Sequence, residues 1–281
     1  KSDGKRLLLS LLMASAAAVG MLIKFTVAVM LISVCIDSIL SCREKIHLIH
    51  AGTTVGVCGI IIALVFTGFN SLIYPDHLNR EQAKVKNTPY LHWVMMGLKG
   101  DGAYNSEDYE FTRSFSGMEE QNDALLNEIV DRARDLGPDG LYKLFWKKTT
   151  KTFGSGTMNQ SDFLDDNPAE PSRLHDYLLY SGDDYKTYRD ICQTLHISLM
   201  ALMAISGFSG LRRLMLGGED SGRMAAELAV FGLMLFFACW ETSSRYITNF
   251  FPIIFVCAVR GMDSLCAGVR FCLDRERQYN I

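Results

Sequence analysis

The sequence predicts a mostly α-helical, polytopic membrane protein: a transmembrane helical bundle of five or six spans with a mainly helical extracytoplasmic insert. Ala51–Pro75 and Ile191–Leu211 contain no Asp, Glu, Lys or Arg, and each exceeds the roughly 18 apolar residues that suggest a membrane span. Residues 76–190, between them, are polar, with charges throughout. We therefore expect an N-terminal transmembrane block (1–75), an extracytoplasmic soluble module (76–190) and a C-terminal transmembrane block with a cytoplasmic tail (191–281).

Charge is unevenly distributed along the chain. The 28 Lys and Arg against 31 Asp and Glu give a net charge of −3. Residues 76–190 hold 14 basic and 21 acidic side chains, a net of −7, so the remainder carries +4. An acidic module between basic membrane flanks fits the two sides of a bilayer, and it argues against nucleic acid as a partner.

The first apolar block, Leu7–Ile36, is interrupted only by Lys24. About thirty helical residues would rise roughly 45 Å, against a hydrocarbon core of about 30 Å. Two short spans that meet near Lys24 are therefore preferred to one, although the sequence leaves both open. The other apolar segments are Ala51–Tyr74, Ile191–Leu211, Met224–Trp240 and Ile247–Val259.

Basic residues predict the orientation. The short loops with Arg43 and Lys45, and with Arg212, Arg213 and Arg223, fall on the same side as the arginine-rich C-terminal tail. The positive-inside rule assigns that side to the cytoplasm. The module and the polar turn Glu241–Tyr246 then face outward together, in a multi-pass protein of the plasma membrane.

Two helices are predicted inside the module. Gly117–Gly137 is amphipathic, and Gly137-Pro138 supplies a stop. Leu141–Thr152 reads as a basic helix that ends at Gly154. Lys99–Asn105 is Gly-rich and predicts a loop.

Neither a disulfide framework nor a metal site is predicted. The eight Cys form no CxxC pair and lie mostly in or beside apolar segments, where a thiol acts as a small apolar filler. No His, Cys and carboxylate set has metal-ligand spacing. We expect no cofactor, and no motif specifies a divalent metal.

The polar turn offers the first candidate site. Glu241 and Arg245 are four residues apart and would share one face of a helix at the outer interface. Ionisable groups at such a depth suggest function, and the planar fork of Arg suits a phosphate. The structural alternative is an interfacial salt bridge beside an aromatic belt of Trp240 and Tyr246.

Other candidates are single residues. Lys24 could contact an anionic lipid headgroup, or it could snorkel at a helix break. His92, beside aromatic residues, could bind sugar or transfer a proton, or it could simply be packed and hydrogen-bonded. Outward-facing carboxylates, each of which could equally be only solvated, are possible bases: Asp76, Asp101 and Asp108.

Several stretches together resemble multi-span GT-C-type glycosyltransferases of Gram-positive bacteria, relatives of the protein-mannosyltransferase-like family 39 enzymes. Thr88–Leu98 leads, followed by Gly102-Ala103-Tyr104-Asn105, Asp108 and Thr112. Supporting stretches are Leu136-Gly137-Pro138 with Lys147-Lys148, Phe153–Thr157, Ile23-Lys24-Phe25-Thr26 (with Phe25 in place of a Pro) and the Glu-x-x-Ser-Arg-Tyr turn of Glu241–Tyr246.

The resemblance implies a mechanism. A sugar carried on a polyprenyl phosphate would pass to the hydroxyl of an extracytoplasmic glycan or protein acceptor, with a carboxylate as base. Arg245 and Lys24 would hold the lipid phosphate, Glu241 would orient Arg245, and Tyr246 and His92 would line the site. The family's acidic catalytic motif lies in an early outer loop that has no counterpart here. We therefore expect a C-terminal portion whose main catalytic carboxylate lies upstream.

A non-enzymatic membrane protein is the alternative, such as a lipid-linked-glycan transporter or an assembly partner with an outer binding domain. A transporter should show paired broken helices and midplane charges, and only Lys24 and Glu227 come near that. A third option is a membrane-anchored receptor for a peptide or glycan. All three options expect membrane lipids as partners.

Overall fold

The computed structural model describes residues 3–40, 45–73, 88–164, 170, 172–216 and 224–279, and these ranges hold helices and loops but no strand. The helices are α1 (Asp3–Ile23), α2 (Val27–Leu40), α3 (Lys45–Ile73), α4 (Tyr90–Met96), α5 (Ser106–Arg113), α6 (Met118–Phe153), α7 (Arg173–Leu178), α8 (Tyr185–Met215), α9 (Ala225–Cys239) and α10 (Phe251–Tyr279). Two 3₁₀ helices cover Gln160–Phe163 and Ser244–Phe250.

Every apolar segment of the sequence forms a helix. Three stretches are long and apolar enough to cross a membrane: Gly52–Ile73, Tyr185–Met215 and Ser244–Arg275. Shorter apolar helices cover Leu8–Ile23, Val27–Leu40 and Ala225–Cys239. The predicted class, a helical membrane protein, is confirmed. Whether the shorter helices also cross stays a prediction, because a helix of 14 or 15 residues rises only about 21–23 Å.

The first apolar block breaks where the sequence predicts. Helix α1 ends at Ile23, and α2 begins at Val27 after a turn over Lys24, Phe25 and Thr26. The turn is tight, since a Cβ atom on Gly20 would lie 3.1 Å from Val27 Cγ1. The two-helix prediction for this block is confirmed.

Helix α6 contains the break predicted at Gly137. Gly137 has φ 58° and ψ −178°, a conformation that L side chains rarely adopt and that suits glycine. Pro138 follows, and the helix continues to Phe153, with Gly154 as its C-terminal cap. The two predicted helices are therefore two arms of α6, and both predicted ends are confirmed.

The contacts divide the chain into two compact units. The first comprises Lys1–Asn87 and Gly207–Leu233, and the second comprises Thr88–Ser206 and Met234–Ile281. Within the first, Asp37 of α2 is buried and accepts a hydrogen bond from the Met224 backbone N–H, at 3.3 Å. The division into membrane blocks and an outer module concerns the sides of a bilayer, so it stays a prediction.

Part of the predicted charge pattern lies outside the described residues. This applies to the candidate base Asp76 and to two arginines of the orientation argument, Arg43 and Arg223.

Helices α8 and α10 of the second unit make backbone contact at Gly261. A Cβ atom added there would overlap the carbonyl group of Leu202. Small residues allow this approach, which in a membrane replaces hydrophobic burial as a source of helix–helix attraction.

Gly261→Ala should therefore destabilise the protein. Forcing a methyl group into this contact should cost about 1–3 kcal/mol, which corresponds to roughly 3–10 °C in apparent Tm for a chain of this size. The measurement is thermal denaturation in detergent. Gly268→Ala, on the same helix with no described atom within 4 Å of the added Cβ, should leave the Tm within about a degree. Equal shifts in the two variants would contradict the contact.

Candidate functional site

The predicted turn after α9 is held by backbone hydrogen bonds within the second unit. The Glu241 N–H donates to the Trp93 carbonyl at 2.9 Å, and the Thr242 N–H donates to the Gly102 carbonyl at 2.8 Å. The chain passes so close to α4 that a Cβ on Gly97 would lie 2.8 Å from the Trp240 carbonyl carbon. The turn is therefore built against the end of α4 and the loop that follows it.

Lys148 of α6 fastens this arrangement. Its side chain is 1% exposed, and its Nζ donates to the carbonyls of Gly97 at 2.9 Å and Ala238 at 3.0 Å. Burial lowers the pKa of the amine to about 8. One helical turn further on, Thr152 is hydrogen-bonded to the hydroxyl of Thr242.

Sequence reasoning missed Lys148 as a site residue. Leu144, Lys148 and Thr152 recur every four residues, and all three are buried. A lysine at that spacing, in register with an apolar residue, was the available signal. It was obscured because the neighbouring lysines of the same basic helix are solvent-facing.

Glu241 is buried and hydrogen-bonded to Tyr246. It is 2% exposed, and the Tyr246 hydroxyl donates to its Oε2 at 2.6 Å. Burial raises the pKa of Glu241 above its ordinary value, while the Tyr246 hydrogen bond and the nearby charges of Arg245, Lys148 and Lys151 oppose that shift. A buried carboxylate thus lies among three cations.

One geometric expectation for the turn is wrong. Residues 241–243 are not helical, and the 3₁₀ helix begins only at Ser244. Glu241 and Arg245 therefore do not share a helix face. The backbone bonds of Glu241 and Thr242 to α4 and its loop hold this segment extended. The predicted function of both residues stays a prediction.

Arg245 is exposed and lies on aromatic rings. Its guanidinium carbon is 4.8 Å from the ring centre of Phe163 and 5.3 Å from that of Tyr246. Such cation–π contacts orient the planar group and leave its N–H edges available to a ligand. Arg245 also stands in the first turn of the membrane-length stretch Ser244–Arg275.

Asp101 lies at a cleft in the same unit. Its Oδ2 is 2.5 Å from Lys151 Nζ, and about half of its side-chain surface is exposed. Burial opposes ionisation, but the Lys151 and Ala103 hydrogen bonds hold the pKa of Asp101 below its usual range. The cleft has a volume of about 910 Å³. Its lining is Asp101, Tyr142, Lys143, Trp146, Lys147, Thr150, Lys151, Gly154, Ser155 and Asn159.

Asp108 belongs to a buried ion pair instead. Both of its carboxylate oxygens accept hydrogen bonds from Arg132, each at 2.8 Å, and Lys99 lies 3.4 Å away. Burial opposes ionisation of Asp108, yet Arg132 and Lys99 keep its pKa below the ordinary value. These bonds connect α5 to α6, which favours a structural role over that of a base.

His92 is buried next to this pair. Its Nδ1 is 2.6 Å from Thr112 Oγ1, and its side chain has no measurable exposure. Burial lowers the pKa of His92, so the ring is neutral near pH 7. Its Nε2 has no hydrogen-bond partner among the described residues. The packed alternative of the sequence analysis matches this geometry.

Lys24 lies in the first unit, whereas the other described candidates lie in the second. Its backbone N–H donates to Gly20 in the turn between α1 and α2. Its predicted contact with a lipid phosphate stays a prediction.

No group of three or more His, Cys, Asp or Glu able to hold a metal ion occurs in the part of the chain that the structure describes. The described chemistry of the site is therefore that of cations, carboxylates and aromatic rings.

Asp108→Asn should destabilise the protein. It leaves the mostly buried Arg132 without its charged partner, which typically costs about 3–5 kcal/mol. The apparent Tm in detergent should fall by roughly 6–15 °C. Asp101→Asn, which breaks a more exposed pair, should cost less than about 1 kcal/mol. The reverse order of the two variants would refute the structural role of Asp108.

Lys148 predicts a specific pH dependence of stability. Its folded-state pKa of about 8 lies below the model value of 10.5, so between these pH values the unfolded chain binds more protons. Wild-type stability should therefore rise with pH relative to Lys148→Met, by roughly 1–3 kcal/mol. Apparent Tm values from pH 7 to 10.5 test this, since the other titrating groups are common to both proteins. Parallel curves would exclude a buried titrating amine.

The comparisons with known proteins agree with the helical membrane architecture. No curated protein and no solved structure matches the chain. One family, described as conserved hypothetical integral membrane protein, matches residues 3–265. The match extends over both membrane-rich ends and the polar middle, and the chain belongs to this family of integral membrane proteins.

Proposed function

We propose that the chain forms part of a membrane glycosyltransferase that moves a sugar from a polyprenyl-phosphate donor to an extracytoplasmic acceptor. The observation that carries the proposal is Arg245: an exposed guanidinium, flat on two aromatic rings, at the first turn of a membrane-length helix. The phosphate of a membrane-embedded lipid lies at that depth, because its chain is in the hydrocarbon and its headgroup is in water.

The supporting groups suit this role. Glu241 and Tyr246 are hydrogen-bonded to each other beside Arg245. Lys148 and Lys151 add positive charge within electrostatic reach of Glu241. A preorganised positive environment stabilises a departing phosphate without reorganisation during the reaction.

The reaction balances without a redox partner. An acceptor oxygen attacks the anomeric carbon, and the bond between that carbon and the phosphate oxygen breaks with its electrons on the phosphate. The acceptor proton passes to a carboxylate. Asp101 is the candidate for that base, because it is ionised and exposed at the cleft.

The proposal includes a location. The site faces the outside of a plasma membrane, and the C-terminal tail faces the cytoplasm. The support for this orientation is the distribution of basic residues between short loops.

A non-enzymatic role in binding a lipid-linked glycan is the second candidate. The described carboxylates at the site are engaged: Asp101 is paired with Lys151, and Glu241 is buried against Tyr246. Neither is a free base. A protein that only binds or carries the donor would need the cations but no free base.

Arg245→Ala should weaken binding of a radiolabelled polyprenyl-phosphate sugar to the purified chain in detergent. Loss of a charge-assisted bidentate contact, worth about 1.5–3 kcal/mol, corresponds to roughly 10–150-fold in Kd. Arg134→Ala, which removes an exposed arginine of α6, is the matched control and should bind like wild type.

A second measurement separates the two functions. Sugar release from the bound donor supports the transferase, particularly if Asp101→Asn abolishes release and keeps donor affinity. Donor binding without release favours the carrier. A folded wild-type protein that does not bind the donor would refute both.

A further inference from the structure

The C-terminal arm of α6 presents a basic and aromatic face to the cleft. Tyr142, Lys143, Trp146, Lys147 and Lys151 follow one another at helical spacing and all line it. The opposite side of the same arm is buried, at Leu144, Lys148 and Thr152. The face is thus held rigidly by the contacts that fasten the polar turn.

The charge of the cleft is opposite to that of its surroundings. Its lining contains three lysines and one carboxylate, whereas residues 76–190 have a net charge of −7. Lys143 pairs with Asp139, and Lys151 pairs with Asp101. Lys147 has no hydrogen bond or ion pair among the described residues, so a cation remains for an anionic ligand.

Two large aromatic side chains stand exposed beside this cation. Tyr142 is 62% exposed and Trp146 is 50% exposed. Their rings meet edge to face, with centres 6.2 Å apart. A sugar ring has an apolar face of C–H bonds that packs on such a surface, and its hydroxyls need hydrogen-bond partners at the rim. Thr150, Ser155 and Asn159 supply them.

We propose that the α6 cleft binds an anionic carbohydrate, a glycan whose sugars carry phosphate, and that this glycan is the acceptor. Naming it the acceptor rests on the proposed function. Binding itself does not, because cation, aromatic face and polar rim recognise the ligand without the donor. Asp101, at the edge of the cleft, would then lie beside a bound hydroxyl.

The test measures binding of a fluorescent, phosphate-bearing mannan oligosaccharide to the full chain in detergent, with no donor present. The same oligosaccharide after phosphatase treatment and inorganic phosphate are the comparison ligands. We expect the phosphorylated form to bind at least tenfold more tightly than either. Trp146→Ala and Lys147→Glu should each weaken it at least tenfold and leave the apparent Tm unchanged, because both residues are exposed.

Matched controls lie outside the cleft. Tyr104→Ala removes an exposed aromatic ring, and Lys186→Glu reverses an exposed lysine. Both should bind like wild type. Loss of affinity in the controls as large as in the cleft variants would overturn the proposal, because the attraction would then be a property of the whole surface.

Three further outcomes discriminate. Equal affinity for inorganic phosphate and the oligosaccharide would overturn carbohydrate recognition. If the cleft variants lose association with vesicles of anionic phospholipid but keep the oligosaccharide, the face is a membrane contact and the proposal fails. Phosphoglycan binding that depends on Trp146, in a protein that binds no lipid donor, supports the cleft and refutes the glycosyltransferase.

Discussion

The second unit depends on one buried amine. Lys148 donates to carbonyls at the C-terminal ends of α4 and α9, where the last turn of a helix leaves carbonyls without intrahelical partners. A cation at these ends is also favoured by the helix dipoles. The two bonds offset part of the cost of burying the charge, and the lowered pKa of Lys148 records the remainder. This contact joins three helices that are distant in sequence.

That contact explains why the candidate residues lie where they do. With α4, α6 and α9 joined, the turn after α9 has a single path, along which Glu241 is buried and Arg245 is exposed. The same anchoring turns the opposite face of α6, with Trp146 and Lys147, toward solvent. A rigid helix that is buried on one side and basic on the other can present a ligand surface without a mobile loop.

The polar clusters of the unit have different consequences. Asp108, Arg132 and His92 are buried and satisfied, apart from His92 Nε2, and they connect α4, α5 and α6. Asp101, Lys151 and Arg245 are more exposed and lie near the buried Glu241. Charge placed in the first cluster contributes to stability, while charge in the second remains accessible to a ligand. Both clusters contain a carboxylate that the sequence analysis considered as a base, and burial distinguishes them.

The sequence by itself determined the helical membrane class, the break at Lys24 and the break at Gly137, because apolar length, an isolated charge and a Gly-Pro pair act locally. It also found Glu241 and Arg245 from a polar turn between apolar segments. Only the tertiary structure decided that Lys148 is buried, that Asp108 is paired with Arg132, and that Glu241 bonds to Tyr246 instead of sharing a helix face with Arg245. These outcomes depend on partners 5 to 90 residues away, and periodicity does not encode which side chains meet across such distances.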